Sequence, residues 1–220
     1  MKNKYVFASA LALAMSVGLA TSPKAQASSS AKFTIKQYRT IKKYKHGMKA
    51  TFSYQLPQLK GNSAAVKKIN KDLKKSYSTE KKNSKTVFHF AKQDVAEFFN
   101  QSYFDTTTTK ATYNKSKVIS FRTYKKWWAG GVRRNTLDSL TYSLKTGKRL
   151  TVYDVAKGSR ASVKKKLVKG AKKLGAESYY FKSMNLKDLS FILKNGKVYV
   201  YPQVNGPTML KSFTIPSRYK

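Results

Sequence analysis

A chain of 220 residues with no cysteine excludes a disulfide scaffold, thiol catalysis and thiolate metal sites. Its formal net charge of +37, from 46 basic and 9 acidic residues, leaves few carboxylates for acid–base chemistry and points to a polyanionic partner. Only seven of the cations are arginine, and lysine's hydrated point charge suits diffuse attraction better than forked recognition of one anion.

Residues 1–27 read as a secretory signal peptide. A basic MKNK start precedes the apolar run YVFASALALAMSVGLA, and AQA at Ala25–Ala27 is a small-x-small cleavage signal. Cleavage after Ala27 removes Lys2, Lys4 and Lys24 and no acid, so the net charge falls from +37 to +34. No later stretch is apolar enough to span a bilayer. Outside a cell the available polyanions are teichoic acids of the wall, anionic lipid head groups and free nucleic acid. Residues 28–32 form a polar leader, and 33–220 is expected to fold as one domain without an interdomain linker.

The chain becomes strand-like near Phe33. From Met48 to Leu56, Met48, Ala50, Phe52, Tyr54 and Leu56 share one face of a half-buried strand that Pro57 is expected to end. Asn62 or Ser63 can cap a helix in which Val66, Ile69, Leu73 and Tyr77 fall at helical spacing between lysines. SKTVFHFAKQDVAEFFNQSY predicts a second helix. KATYNKSKVISFRTYKKWW predicts strand, with Ile119, Phe121 and Thr123 opposite Val118, Ser120, Arg122 and Tyr124. NTLDSLTYSLKTGKRLTVYDV predicts two strands around a turn at Lys145–Lys148, with Gly147 at positive φ. Ser159 can cap a third helix with Val163, Leu167 and Leu174 inward and Gly175 ending it. LSFILKNGKVYVY predicts a hairpin turning at Asn195–Gly196, and LKSFTIP a closing strand. The fold class is therefore α+β, with antiparallel sheets built from hairpins, about three helices and no βαβ rhythm.

Catalytic patterns are missing. His46 and His89 are the only histidines, no H-E-x-x-H or G-x-S-x-G occurs, and there is no glycine-rich phosphate loop. Asp94 and Glu97 share a helix face, which places them badly for attack on a sugar from two sides. The expectation is a non-enzyme with no cofactor and no metal.

One stretch concentrates binding chemistry. KKWWAGGVRRN holds Lys125, Lys126, Trp127, Trp128, Arg133 and Arg134. Adjacent tryptophans in a strand face opposite ways, so one is expected to pack on the helices and the other to be exposed. Gly130 and Gly131 permit a bulge or tight turn. The arginines add forked donors for phosphate or carboxylate. These six residues are the candidate ligand site, with a plain turn between strands as the competing reading.

VISFRTYKKWWAGGVRRNTLDSLTYSLKTGKRLTVYDV also resembles a block of the extracellular domain family shared by the anti-sigma-V factor RsiV and the N-terminal region of the peptidoglycan deacetylase PdaC. LPQLKGNSAAVKKINKDLKK resembles that family's upstream helix, and LSFILKNGKVYVYPQVNGPTMLKSFTIP its closing hairpin and strand. The resemblance runs from about Phe33 to the end and implies an RsiV-like domain standing alone. It implies either lysozyme binding or a wall-binding role. The charge argues against lysozyme, since many lysozymes are themselves strongly cationic and would be repelled. The family's glycine-glycine-alanine-histidine is Gly130, Gly131, Val132 and Arg133 here, so no histidine role carries over. The expected function is a secreted, non-catalytic cell-envelope protein binding anionic wall polymer or peptidoglycan. The alternative is an extracellular nucleic-acid or anionic-membrane binder.

Overall fold

A computed structural model describes residues 30–93, 102–175, 189–202 and 211–220. The proposed leader peptide and the pair Asp94 and Glu97 lie outside the described residues.

Strand β1 (Phe33–Lys43) pairs antiparallel with β2 (Lys49–Leu59) and forms one edge of a five-stranded sheet. Most of β1 is exposed, including Ile35 and Ile41. In β2 the expected alternation holds: Met48, Ala50, Phe52, Tyr54 and Leu56 are all buried. Pro57 does not end the strand. It pairs with Ile35 on the β1 side, while pairing to β3 stops at Tyr54 and Thr107, so its missing N–H breaks no bond to β3.

Helix α1 (Ala64–Asn83) starts where Ser63 Oγ accepts the Val66 N–H. Ile69 and Leu73 are buried, with Val66 and Tyr77 packed at the margin of the same cluster. Helix α2 (Lys85–Gln93) follows after a break at Ser84, and Val87 and Ala91 are its buried residues. The chain then enters β3 (Ser102–Lys115), parallel to β2. This is a βαβ crossover, contrary to the expectation of none. Two helices in tandem obscured the rhythm, and Ser102 and Tyr103, read above as helix, belong to the strand. Four threonines in a row stiffen that segment toward β structure.

β3, β4 (Val118–Ala129) and β5 (Val132–Ser143) form an antiparallel meander, giving the sheet order β1-β2-β3-β4-β5. Ser116 (φ 52°) and Lys117 (φ 59°) make the turn between β3 and β4, closed by Lys115 opposite Val118. Two positive φ values are the type I′ pattern, which favours Asn-Gly. Replacing Ser116-Lys117 by Asn-Gly should therefore stabilise the protein by roughly 1–2 kcal/mol, as ordinary side chains leave the left-handed region. Thermal unfolding checks this, and an unchanged or lower Tm would remove the turn assignment.

After β5 the expected second strand is replaced by a short helix, α3 (Val152–Val155), with a single bridge from Tyr142 to Arg149 before it. The Thr151 N–H donates to the Asp154 carboxylate at 2.7 Å, half of a capping box that the spacing T-x-x-D encodes. Helix α4 (Arg160–Lys173) is capped by Ser159, whose Oγ accepts the Ser162 N–H, and buries Val163, Leu167 and Ala171. Strands β6 (Ser190–Lys194), β7 (Lys197–Tyr201) and β8 (Phe213–Pro216) form a second antiparallel sheet, with the predicted Asn195–Gly196 turn between the first two.

The large sheet carries α1 and α2 on one face, where Phe52, Tyr54, Ile119, Phe121, Leu140 and Tyr142 meet Ile69 and Leu73. Its other face receives β6: the Phe191 N–H donates to Ser139 Oγ at 3.0 Å and the Leu193 N–H to Ser120 Oγ at 3.4 Å. Valines and leucines of α3, α4 and the small sheet close a second core. The architecture is α+β with hairpin-built, mostly antiparallel sheets, as expected. The turn at Gly147 (φ +70°) rests on the first turn of α1, where a Cβ on Gly147 would stand 2.7 Å from the Ala65 carbonyl oxygen.

Candidate functional site

KKWWAGGVRRN is a β-hairpin. Gly130 (φ 55°) and Gly131 (φ 79°) form its two-residue turn, and Ala129 pairs with Val132. Both central positions need left-handed backbone, which glycine adopts without strain. The candidate residues then fall into cross-strand pairs: Lys126 opposite Asn135, Trp127 opposite Arg134 and Trp128 opposite Arg133. Pairing across a sheet and alternation along it divide the six between two faces. Lys125, Trp127 and Arg134 face the helices, and Lys126, Trp128 and Arg133 face the other way. Both indoles are half-buried and pack at the margin of one cluster, so the expectation of one packed and one exposed tryptophan does not hold. The two arginines point apart and cannot grip one anion together.

Trp128 stacks on Phe104 at 6.4 Å and 26° and also meets the buried Tyr103 ring at 4.9 Å and 52°. With Ser102 and Arg133, Trp128 and Phe104 line an open slot of about 480 Å³. Lys126 is exposed, its ammonium 5.8 Å from the Tyr124 ring.

The helix face is more closely built. The Arg134 guanidinium lies 5.5 Å above the Trp127 ring centre, and Phe90 of α2 meets that indole edge-on at 6.5 Å. Below them Lys125 reaches Glu80 of α1 at 2.5 Å and Asp105 of β3 at 3.3 Å. Asp105 is 1% exposed, yet neither of its carboxylate oxygens accepts a hydrogen bond among the described residues. Burial pushes its carboxyl up to about 6 against the pull of Lys125. Burial pulls the Lys125 ammonium down, but Glu80 and Asp105 outweigh it and hold it above the ordinary lysine value. Asn83, Thr86 and Thr136 complete the rim of a cleft of about 300 Å³ with Asp105 at its floor.

Asp105 and Glu80 escaped the sequence reading, although both carried a signal. Asp105 stands on the buried parity of β3, between Tyr103 and Thr107, where a lone carboxylate is costly. Glu80 sits near the C-terminus of a lysine-rich helix, the end at which the helix dipole disfavours an acid.

All five described acids are engaged internally. Asp72 accepts the Tyr142 hydroxyl at 2.7 Å, Glu80 and Asp105 hold Lys125, Asp138 accepts the Ser139 N–H at 2.7 Å, and Asp154 holds Thr151. The outer faces of α1 and α4 are lined with exposed lysines such as Lys71, Lys75, Lys165 and Lys169. Among the described residues no group of three or more metal-binding side chains comes together, and no helix is long and apolar enough to cross a membrane.

No family model and no curated protein matches the sequence. Solved structures do. A protein of Pseudomonas aeruginosa PAO1 described as a DUF3298 family protein superposes with a TM-score of 0.51 at 10% identity, over 84% of this chain and 89% of that one. A member of the DUF3298 family from Bacteroides fragilis gives a TM-score of 0.49 at 11% identity, over 87% and 91%. The likeness to the Pseudomonas protein is one of fold: this chain shares the fold of a DUF3298 family protein.

Proposed function

We propose that the protein is a secreted, non-catalytic binding protein of the cell envelope, held by charge on an anionic wall polymer such as teichoic acid, or on peptidoglycan. The observation that carries this reading is the commitment of every described carboxylate to an internal partner while the lysines of α1 and α4 face solvent. The surface charge is thus not neutralised from within, and a field of one sign raises the local concentration of a polyanion.

Protein added to purified walls should pellet with them and be released as salt rises, because screening weakens diffuse attraction. Exchanging Arg133 and Arg134 for lysine keeps the charge and should leave pelleting within about twofold, since a diffuse surface does not use the guanidinium fork. Pelleting that survives removal of teichoic acid from the walls would overturn the polymer assignment. The stacked Trp128–Phe104 pair beside Arg133 favours one second reading, an extracellular nucleic-acid binder, because aromatic platforms beside cations hold single strands. Competition between single-stranded DNA, anionic vesicles and teichoic acid at one salt concentration ranks the partners.

A further inference from the structure

We propose that the cleft between α1 and the β4–β5 hairpin binds one saccharide ring of a glycan. Asp105 lies at the floor with its Oδ2 facing the Lys125 ammonium at 3.3 Å and its Oδ1 without a partner among the described residues, and a buried acceptor without a donor is costly. An ionised carboxylate only accepts, so the missing group must donate. On the wall the Arg134 guanidinium only donates, and its position over Trp127 fixes its direction. A ligand for this cleft must therefore give hydrogen bonds at the floor and take them at the wall within one small molecule.

Charge narrows the choice. Asp105, Lys125 and Arg134 line the cleft, and Glu80, outside its lining, pairs with Lys125, so the four charges cancel inside a strongly cationic protein. A phosphate would meet Asp105 unfavourably, and a free ammonium would meet Lys125. Neutral hydroxyls both donate and accept and meet neither repulsion. The rim groups Asn83, Thr86 and Thr136 are of the same neutral kind. The indole of Trp127 supplies the apolar side that the C–H face of a sugar needs. A volume of about 300 Å³ is at the small end of ligand pockets, which suits one ring of a chain whose neighbours run out over the rim.

This inference rests on the envelope reading for the source of the glycan, not for the chemistry of the cleft. Electrostatic adhesion and ring recognition are separable. The first follows the whole surface and weakens with salt, whereas hydrogen bonds in a neutral cleft do not.

The test titrates the leader-free chain with a tetrasaccharide of β-1,4-linked N-acetylglucosamine and follows indole fluorescence. A saturable change is expected, and it should persist at about 1 M sodium chloride, where charge-driven wall binding is lost. Asp105→Asn should weaken binding about tenfold or more, the scale of one charged hydrogen bond, without lowering Tm. Arg134→Lys, at an exposed position that the fold does not need, should weaken it about fivefold by removing the fork. No saturable change, both variants binding like the parent, or displacement of the sugar by inorganic phosphate would each overturn the assignment. Salt-insensitive sugar binding with no wall pelleting would leave the cleft intact and remove the polyanion reading instead.

Discussion

Gly147→Ala should lower stability by roughly 2–5 kcal/mol. The backbone at φ +70° costs an L-residue about 1–2 kcal/mol, and forcing a methyl group into a filled space costs about 1–3 kcal/mol more. The obstacle is not a mobile side-chain end. The new Cβ would meet the Ala65 carbonyl oxygen at 2.7 Å and Lys68 Cβ at 2.9 Å, so the turn and α1 would have to separate. Gly147→Asn divides the two causes, because asparagine tolerates the left-handed region but keeps the Cβ. If the contact dominates, both variants lose similar stability in a denaturant titration. An alanine variant within about 0.5 kcal/mol of the parent, the range of a neutral surface change, would show that this contact is absent. The effect also bears on the site, because α1 carries Glu80 to Lys125 near its other end.

Asp105→Asn works in the opposite direction and is expected to stabilise the free protein. In the folded state the Asp105 carboxyl titrates at about 6, above its ordinary value of 3.8, so the folded state binds this proton more tightly than the unfolded one. The wild-type protein therefore loses stability as pH rises from the ordinary value toward 6, and carries the full cost above it. That difference, already net of the pull of Lys125, corresponds to about 3 kcal/mol. Asparagine removes it, and Lys125 keeps Glu80 at 2.5 Å and is not orphaned. The net gain at pH 8 should be on the order of 1–3 kcal/mol, shrinking as pH falls through 6 toward 4. Paired urea titrations at several pH values measure it. An asparagine variant less stable than wild type at pH 8 would mean that the Asp105–Lys125 attraction outweighs burial. A cleft that gains stability when its floor is neutralised, yet loses a ligand, is the pattern of a binding group kept at the expense of the fold.

Much of the fold was legible because its periods are clean. The alternation through Phe52 and Tyr54, the Ile69 and Leu73 stripe, the caps at Ser63 and Ser159 and the Asn195–Gly196 turn all stand where the sequence places them. The parallel β2–β3 seam was not legible, since strand direction is set by a crossover and not by any local residue. The segment after Gly147 was misread because its alternation mimics a strand while Thr151 and Asp154 cap a helical turn. At the hairpin, alternation gives the two indoles different ring partners, Phe90 for Trp127 and Phe104 for Trp128, but not one packed and one exposed tryptophan. It could not show that Arg133 and Arg134 follow them, or that Glu80 and Asp105 arrive from distant elements to meet Lys125.

The outermost strand, β1, spans eleven residues whose outer edge is unpaired among the described residues, a template on which a second copy could extend the sheet. Ile35 and Ile41 stand exposed along it, the apolar side chains that such a stack would use. Lys36, Arg39, Lys42 and Lys43 lie on the same strand, and two copies meeting edge to edge would bring these like charges together. The cations that the proposed envelope role would use to hold a polyanion thus also guard the protein against self-assembly into aggregates. Concentrated salt would weaken both effects together, so the conditions that test that proposal by releasing the protein also expose its free edge.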